Sequence, residues 1–269
     1  MKKILRLTAQ TADRHRLYED SVQNVDFEVE FFDRVFRRAF GRRANFLRED
    51  FCGTAQLGCR WVRSGPDRVA LGVDLHGPTL AWGRRRNVAP LGAAAVRMRL
   101  LQDDVRNVRA PRADIVAATN FSWWTFKTHD ALLVYLRNAY RSLRREGLLI
   151  LDIFGGPEAQ VAQEEARPCD GFTYVWDQDS FNPISHDYRC HIHFRFPDGS
   201  QMRRAFTYDW RLWSLPETRE LLQRAGFADS VVYWEGADRS GEPNGVFRPG
   251  KRGDASPAWV AYIVAARRA

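Results

Sequence analysis

Four short apolar runs in the first half of the chain each end in polar or acidic residues. The run at 46–52 closes in Arg48-Glu49-Asp50-Phe51-Cys52-Gly53-Thr54-Ala55, directly before a helical pattern. The run at 69–73 ends at Asp74, the run Val96 to Leu101 leads into Asp103-Asp104-Val105, and Ala113 to Thr119 leads into Asn120-Phe121-Ser122-Trp123-Trp124. In an open parallel sheet, ligands bind beyond the carboxyl ends of the strands, so these are the positions where chemistry is expected. Small residues at Cys52 and Gly53 let a ligand approach the backbone, and the following helix offers its free N–H groups. A carboxylate at Asp74, about twenty residues further on, can accept both hydroxyls of a ribose. Taken singly, each acid is equally a helix cap or a turn residue. Their joint order is the stronger signal.

The elements that must hold these ends are legible in the apolar period. Val25, Val29, Phe32, Phe36 and Ala39 recur at helical spacing, widened by Phe27, Phe31 and Val35, and Gly41 closes the helix. Helical patterns follow from about Thr54 to Ser64, from Pro78 to about Val88, and from about Asp130 to Arg145, with Leu148 to Phe154 as the next strand. Strands that alternate with helices make crossover units and a parallel sheet. From about 172 to 213 the rhythm breaks into aromatic and β-branched runs, with Pro197-Asp198-Gly199 as a turn in an antiparallel meander. A helix at Pro216 to Ala225 and strands at about 229–234 and 258–265 follow, and the Gly/Pro-rich stretch Gly236 to Pro257 between them reads as a surface loop. This divides the chain into 1–154, an insertion at 155–214, and a return to the core at 215–269.

Composition bounds the function class. The 269 residues are 45% hydrophobic and 28% charged, as in ordinary globular proteins, and no run approaches the roughly twenty apolar residues that span a bilayer. The N-terminus carries no secretory apolar stretch. Cys52, Cys59, Cys169 and Cys190 form no CxxC pair, so no disulfide framework or zinc ribbon is expected, and a cytoplasmic setting fits. The net charge of +8 is carried by arginines interleaved with Asp and Glu, the pattern of a solvated surface more than of a nucleic-acid footprint.

The segment Glu49-Asp50-Phe51-Cys52-Gly53-Thr54 resembles the first motif of class I S-adenosylmethionine (SAM) methyltransferases that act on small molecules, with Ala55 where a last glycine is usual. Leu143-Arg144-Arg145-Glu146-Gly147-Leu148-Leu149-Ile150-Leu151-Asp152 is similar to the helix, turn and fifth strand of that family. The resemblance covers about 46–154 and resumes from 215. It implies a Rossmann-like α/β fold with a seven-stranded, mostly parallel sheet, helices on both faces, and an antiparallel β insertion after the fifth strand. It further implies that Glu49 serves the methionine amino group through the loop, that Gly53 lets SAM pass, and that Asp74 binds the ribose. Asp104 would accept from the adenine amino group, Leu75 and Val105 would flank the ring, and Asn120 and Phe121 would lie beside the methionine end. The Gly-x-Gly-x-x-Gly of nicotinamide and flavin enzymes is absent. In placement the insertion resembles the antiparallel lid of glycine and aminosugar N-methyltransferases.

Cys52 is expected to pack as a small apolar group under the loop, not to act as a nucleophile. Tyr18, ahead of the first helix, is either a packing aromatic or a cofactor contact from a closing N-terminal segment. His191 and His193 share one strand face, but no further ligand follows at a characteristic spacing, so no metal is expected. His191, with Tyr208 on the neighbouring strand, is either structural or acceptor-facing, and His129 is either a helix N-terminal residue or a base. The expected function is methyl transfer from SAM to a small molecule at N or O. A protein or RNA methyltransferase and a non-catalytic SAM- or nucleoside-binding protein are the alternatives, and the oligomeric state is open.

Overall fold

The computed structural model describes residues 7–268. In chain order it contains α1 (Arg14–Ser21), α2 (Val25–Phe40), β1 (Phe46–Asp50), α3 (Gln56–Arg63), β2 (Val69–Asp74), α4 (Gly77–Gly83), β3 (Met98–Gln102) and β4 (Ala113–Ala118). Next come α5 (His129–Ser142), β5 (Leu143–Gly155), and the insertion strands β6 (Gln163–Cys169), β7 (Phe172–Phe181), β8 (Asp187–Arg195) and β9 (Gln201–Arg211). The chain closes with α6 (Leu215–Ala225), β10 (Ser230–Ala237), β11 (Pro243–Gly250) and β12 (Trp259–Arg267). Among the described residues no helix is long and apolar enough to cross a membrane.

The chain forms two compact units, one from Asn24–Gly155 and Trp213–Ala269, the other from the residues through Gln23 with Gly156–Leu212. The larger unit carries an eight-stranded sheet in the order β11-β10-β12-β5-β4-β1-β2-β3. Strands β3, β2, β1, β4 and β5 run parallel, and β12, β10 and β11 join antiparallel. All six residues of β4 are buried, so both faces of the sheet are covered, as a parallel sheet requires. The order reverses between β1 and β4, the switch point at which open sheets leave a crevice at their carboxyl ends.

The α2 stripe behaves as its period predicts: Val29, Phe31, Phe32, Val35 and Phe36 are buried in the main core, and Gly41 ends the helix at φ 68°. Asp114, although on a central strand, lies at its opposite end. It accepts the N–H groups of Asn45 and Phe46 at 2.9 Å and pairs with Arg42 and Arg144, a structural staple remote from the strand carboxyl ends.

Two strands differ from the sequence reading. The stretch read as loop contains β11, an eighth strand that pairs with β10. Only its Phe247 is buried; on a sheet edge, glycine and proline are tolerated and the polar face is solvated, so no apolar alternation marks it. The smaller unit is a four-stranded antiparallel sheet, β6-β7-β8-β9, and its polar edge strand β6 likewise lacks a period. The Pro197–Gly199 turn between β8 and β9 forms as read, with Phe196 N–H donating to Ser200 C=O at 3.0 Å and Gly199 at φ 84°. Leu17 of α1 joins Phe172, Ile192, Phe194 and Phe196 in this unit's own core.

Candidate functional site

The loop after β1 is built from left-handed backbone and short contacts. Phe51, Gly53 and Ala55 have φ of 56°, 50° and 60°. Cys52 N–H donates to the Val73 carbonyl at 3.0 Å. Gly53 N–H donates to Asp74 Oδ2 at 2.8 Å, and His76 N–H to Asp74 Oδ1 at 2.8 Å. These bonds fix the orientation of the Asp74 carboxylate while each oxygen keeps a lone pair for a further donor. A Cβ on Gly72 would lie 2.8 Å from Cys52 Sγ, so the thiol packs tightly on the bare backbone of β2. Burial pushes that thiol well above its ordinary pKa, the opposite of what a nucleophile needs. Ala55, in place of glycine, holds a left-handed conformation at a cost of about 1–2 kcal/mol and is fully buried.

A cavity of about 310 Å³ opens at the ends of β2 and β3, lined by Phe51, Asp74, Leu75, Asp104, Val105 and Phe126 among others. Leu75 is 65% exposed there, an apolar side chain left bare beside oriented carboxylates. Val105 is buried, and its carbonyl accepts from Arg48 at 3.0 Å. Asp104 is gripped by Arg106 through contacts of 2.6–3.0 Å, which lower its pKa. Asp104 lines this cavity, and its carboxylate already has a cationic partner.

Further along the strand ends, buried acids gather without cations. Glu49 Oε2 accepts Gly58 N–H at 2.9 Å, and burial raises its pKa well above the carboxylate range. Asp152 on β5 accepts the N–H groups of Asn120 at 2.6 Å and Phe121 at 2.9 Å. Those two residues are both left-handed, at φ 57° and 56°, so the carboxylate stabilises a turn that costs energy on its own. Burial still lifts Asp152 to about 7, and lifts Glu28 on α2 to about 8 against a hydrogen bond from Thr119. Among the described residues no Arg or Lys pairs with Glu28, Glu49 or Asp152. Asp50 contrasts with them: Arg48 holds it at 2.6 and 3.1 Å and Tyr135 donates to it at 3.1 Å. Thr54 Oγ1 and Gln56 Oε1, at the start of α3, are buried with no hydrogen-bond partner among the described residues.

Glu28 and Asp152 were outside the sequence-derived site. Signals for both existed: Glu28 stands inside the apolar stripe between Val25 and Phe32, and Asp152 interrupts a buried strand.

The structure thus brings Glu49, Cys52, Gly53, Asp74, Leu75, Asp104, Val105, Asn120 and Phe121 to the carboxyl ends of adjacent strands in the large sheet. His129, also in this unit, begins α5. Its Nε2 lies 2.6 Å from Glu217 Oε1, and its ring lies 5.5 Å from that of Trp213. The other candidates belong to the smaller unit. His191 lies opposite Thr207 and Tyr208 opposite Cys190 in the β8–β9 ladder, so the two side chains point to opposite faces. His191 is buried, with Nδ1 2.9 Å from Thr207 Oγ1, and burial followed by Arg204 lowers its pKa. Tyr208 stacks on Trp210 at 4.3 Å and burial holds its hydroxyl far from ionisation. Tyr18 packs on Phe206 at 5.0 Å.

No protein-family profile matches the chain, and no curated protein matches its sequence. Solved structures do match. A SAM-dependent methyltransferase from Clostridium acetobutylicum superposes with a TM-score of 0.67 at 14% identity, covering 93% of this chain and 96% of that one. The sugar N-methyltransferase KedS8 from Streptoalloteichus matches at 0.63 and 21% identity, over 98% and 94% of the two chains. The amino pentose methyltransferase CalS10 from Micromonospora echinaspora, solved with SAM bound, matches at 0.63 and 16% identity, over 92% and 95%. The fold of this chain is that of the class I SAM-dependent methyltransferases.

Proposed function

We propose that this protein is a SAM-dependent methyltransferase that acts on a small molecule at nitrogen or oxygen. The observation that carries the reading is the set of buried acids Glu28, Glu49 and Asp152, with no Arg or Lys partner among the described residues; Glu49 also feels the charge of Asp74, which lines a cavity with the exposed Leu75. Unpaired buried carboxylates are costly, and SAM brings an ammonium and a sulfonium to neutralise them. Its adenosine would take Asp74, Leu75 and Val105, while the acids at the ends of β1 and β5 serve the methionine end. The orphaned Thr54 and Gln56 oxygens offer two more acceptors at the loop. When bound, SAM supplies an electrophilic methyl group for in-line transfer to a nucleophile.

Catalysis by this chain then rests on positioning, since holding two reactants in line replaces much of the barrier. Asp152 fixes the Asn120–Phe121 turn, and Asp74 fixes the Gly53 loop, so each carboxylate orders backbone as well as offering charge. Amino sugars are the first acceptors to assay, because two neighbours of this fold are described as sugar or amino pentose methyltransferases. The four free cysteines, three of them buried, suit a reducing cytoplasm.

Titration calorimetry with SAM tests the reading. Wild type should bind one equivalent, and Asp74→Ala should lose about 2–4 kcal/mol, since hydrogen bonds to charged groups contribute about 1.5–3 kcal/mol each. Unchanged binding in a folded Asp74→Ala protein would remove the cofactor assignment. Tight SAM binding without transfer to any small nucleophile would instead leave a binding protein.

A further inference from the structure

On the His191 face of the small sheet, β7 and β8 place Asp177 opposite His191 and bring Asp179 beside it. One ligand atom from each of Asp177, Asp179 and His191 falls within 4.8 Å of the others. His191 is only 2% exposed, and its Nε2 has no hydrogen-bond partner among the described residues although it faces Asp179 Oδ2 at 3.9 Å. We infer that Asp177, Asp179 and His191 form a binding site for one divalent first-row transition ion such as Zn²⁺, within the small antiparallel sheet. The site is independent of the SAM reading.

The surrounding bonds prepare these three groups for that task. His191 Nδ1 meets Thr207 Oγ1 at 2.9 Å; with Nδ1–H donating to the hydroxyl, the Nε2 lone pair is turned toward the two carboxylates. A lone pair and two anions facing one another repel unless a cation lies between them. His193 fixes the second ligand. Its Nδ1 accepts Arg204 N–H at 2.8 Å, so its proton sits on Nε2, which donates to Asp177 Oδ2 at 2.9 Å. Outer hydrogen bonds of this kind orient metal ligands and set the histidine tautomer. Two atoms bound to one ion at about 2.0–2.2 Å each are at most about 4.4 Å apart; the 3.9 Å span from His191 to Asp179 fits, and the three ligand atoms, all within 4.8 Å, close around an ion with a shift of a few tenths of an ångström. Glu164 adjoins Asp177 and His193 but is paired with Arg195, and the nearby Arg204 charge opposes a cation. Asp179 is exposed, which gives the ion a path from solvent. One imidazole with two carboxylates favours Zn²⁺ over Mg²⁺, which keeps its waters and prefers all-oxygen sites. Ligand spacing along the chain did not reveal the site because its acids lie on the neighbouring strand.

The test is calorimetric titration of chelator-treated, tag-free protein with Zn²⁺ alone, with circular dichroism to verify folding. One saturable equivalent is expected, not displaced by Mg²⁺. Asp179→Asn, on an exposed side chain, and His191→Gln should each weaken binding by about tenfold or more, while Cys169→Ser should leave it unchanged. Absence of saturable Zn²⁺ binding overturns the proposal, as does binding that survives both variants, disappears with Cys169, or yields to Mg²⁺.

Discussion

Glu28 sits on the buried side of α2 with a carboxyl pKa of about 8 in place of 4.5, chiefly because burial disfavours its charge. The folded chain therefore holds a proton that the unfolded chain releases as the pH rises above about 4.5. Its contribution to stability is complete below that value, falls as the pH climbs toward about 8, and is level beyond. Glu28→Gln should flatten that slope and raise the stability of the ligand-free protein at pH 8 by about 1–3 kcal/mol, the scale of one poorly satisfied buried group. Urea unfolding at pH 5 and pH 8 measures it; equal slopes in wild type and variant would show that Glu28 is not held neutral. Asp152 follows the same sign at about 7, with two backbone donors moderating it. Such acids become useful when a cation arrives, which links their cost in the empty protein to the cofactor they are proposed to hold.

At the scale of elements, the closest constraint on the loop after β1 comes from α4. A Cβ on Gly83 would stand 2.3 Å from the Thr54 carbonyl oxygen, and backbone on both sides cannot yield as a side chain would. Gly83→Ala should destabilise the protein by about 1–3 kcal/mol, the range for overpacking, and should weaken SAM binding in the fraction that stays folded. Normal stability with normal binding, read by unfolding and calorimetry on one preparation, would mean that α4 and the loop are not locked together. The positions of this loop and of the other strand ends were legible in the sequence, because apolar runs and helical periods mark where buried strands stop. The edge strands β6 and β11 were not, since pairing with a neighbour's free edge stabilises them, not an apolar pattern of their own. The helix read as far as Arg145 stops at Ser142. There Arg267, from the last strand, donates to the carbonyls of Tyr140 and Leu143 at 3.0 and 2.8 Å, a long-range cap that no local pattern announces. The acids Glu28 and Asp152 escaped for a similar reason: their meaning lies in deep burial, a product of tertiary packing.

For the molecule as a whole, the candidate cofactor groups other than Tyr18 come from the larger unit, while His191 and Tyr208 belong to the smaller. Tyr208→Phe and His191→Ala should therefore leave SAM affinity within about 1 kcal/mol, the usual scale for a change that touches no contact. Loss of SAM binding in both folded variants would transfer part of the cofactor site to the insertion. The make-up of the smaller unit also bears on how the chain is born. Ala9 N–H donates to Ser200 Oγ across 191 residues of sequence, and Arg167 donates to the Ser21 carbonyl across 146. Phe194 and Phe196, against which Leu17 of α1 packs, emerge from the ribosome only after the first five strands of the large sheet. At about 5–20 residues per second, this helix waits roughly 10–40 s for its partners. During that interval Leu17 lacks the core it packs into, so nascent α1 carries an unburied apolar face while the large sheet is being made.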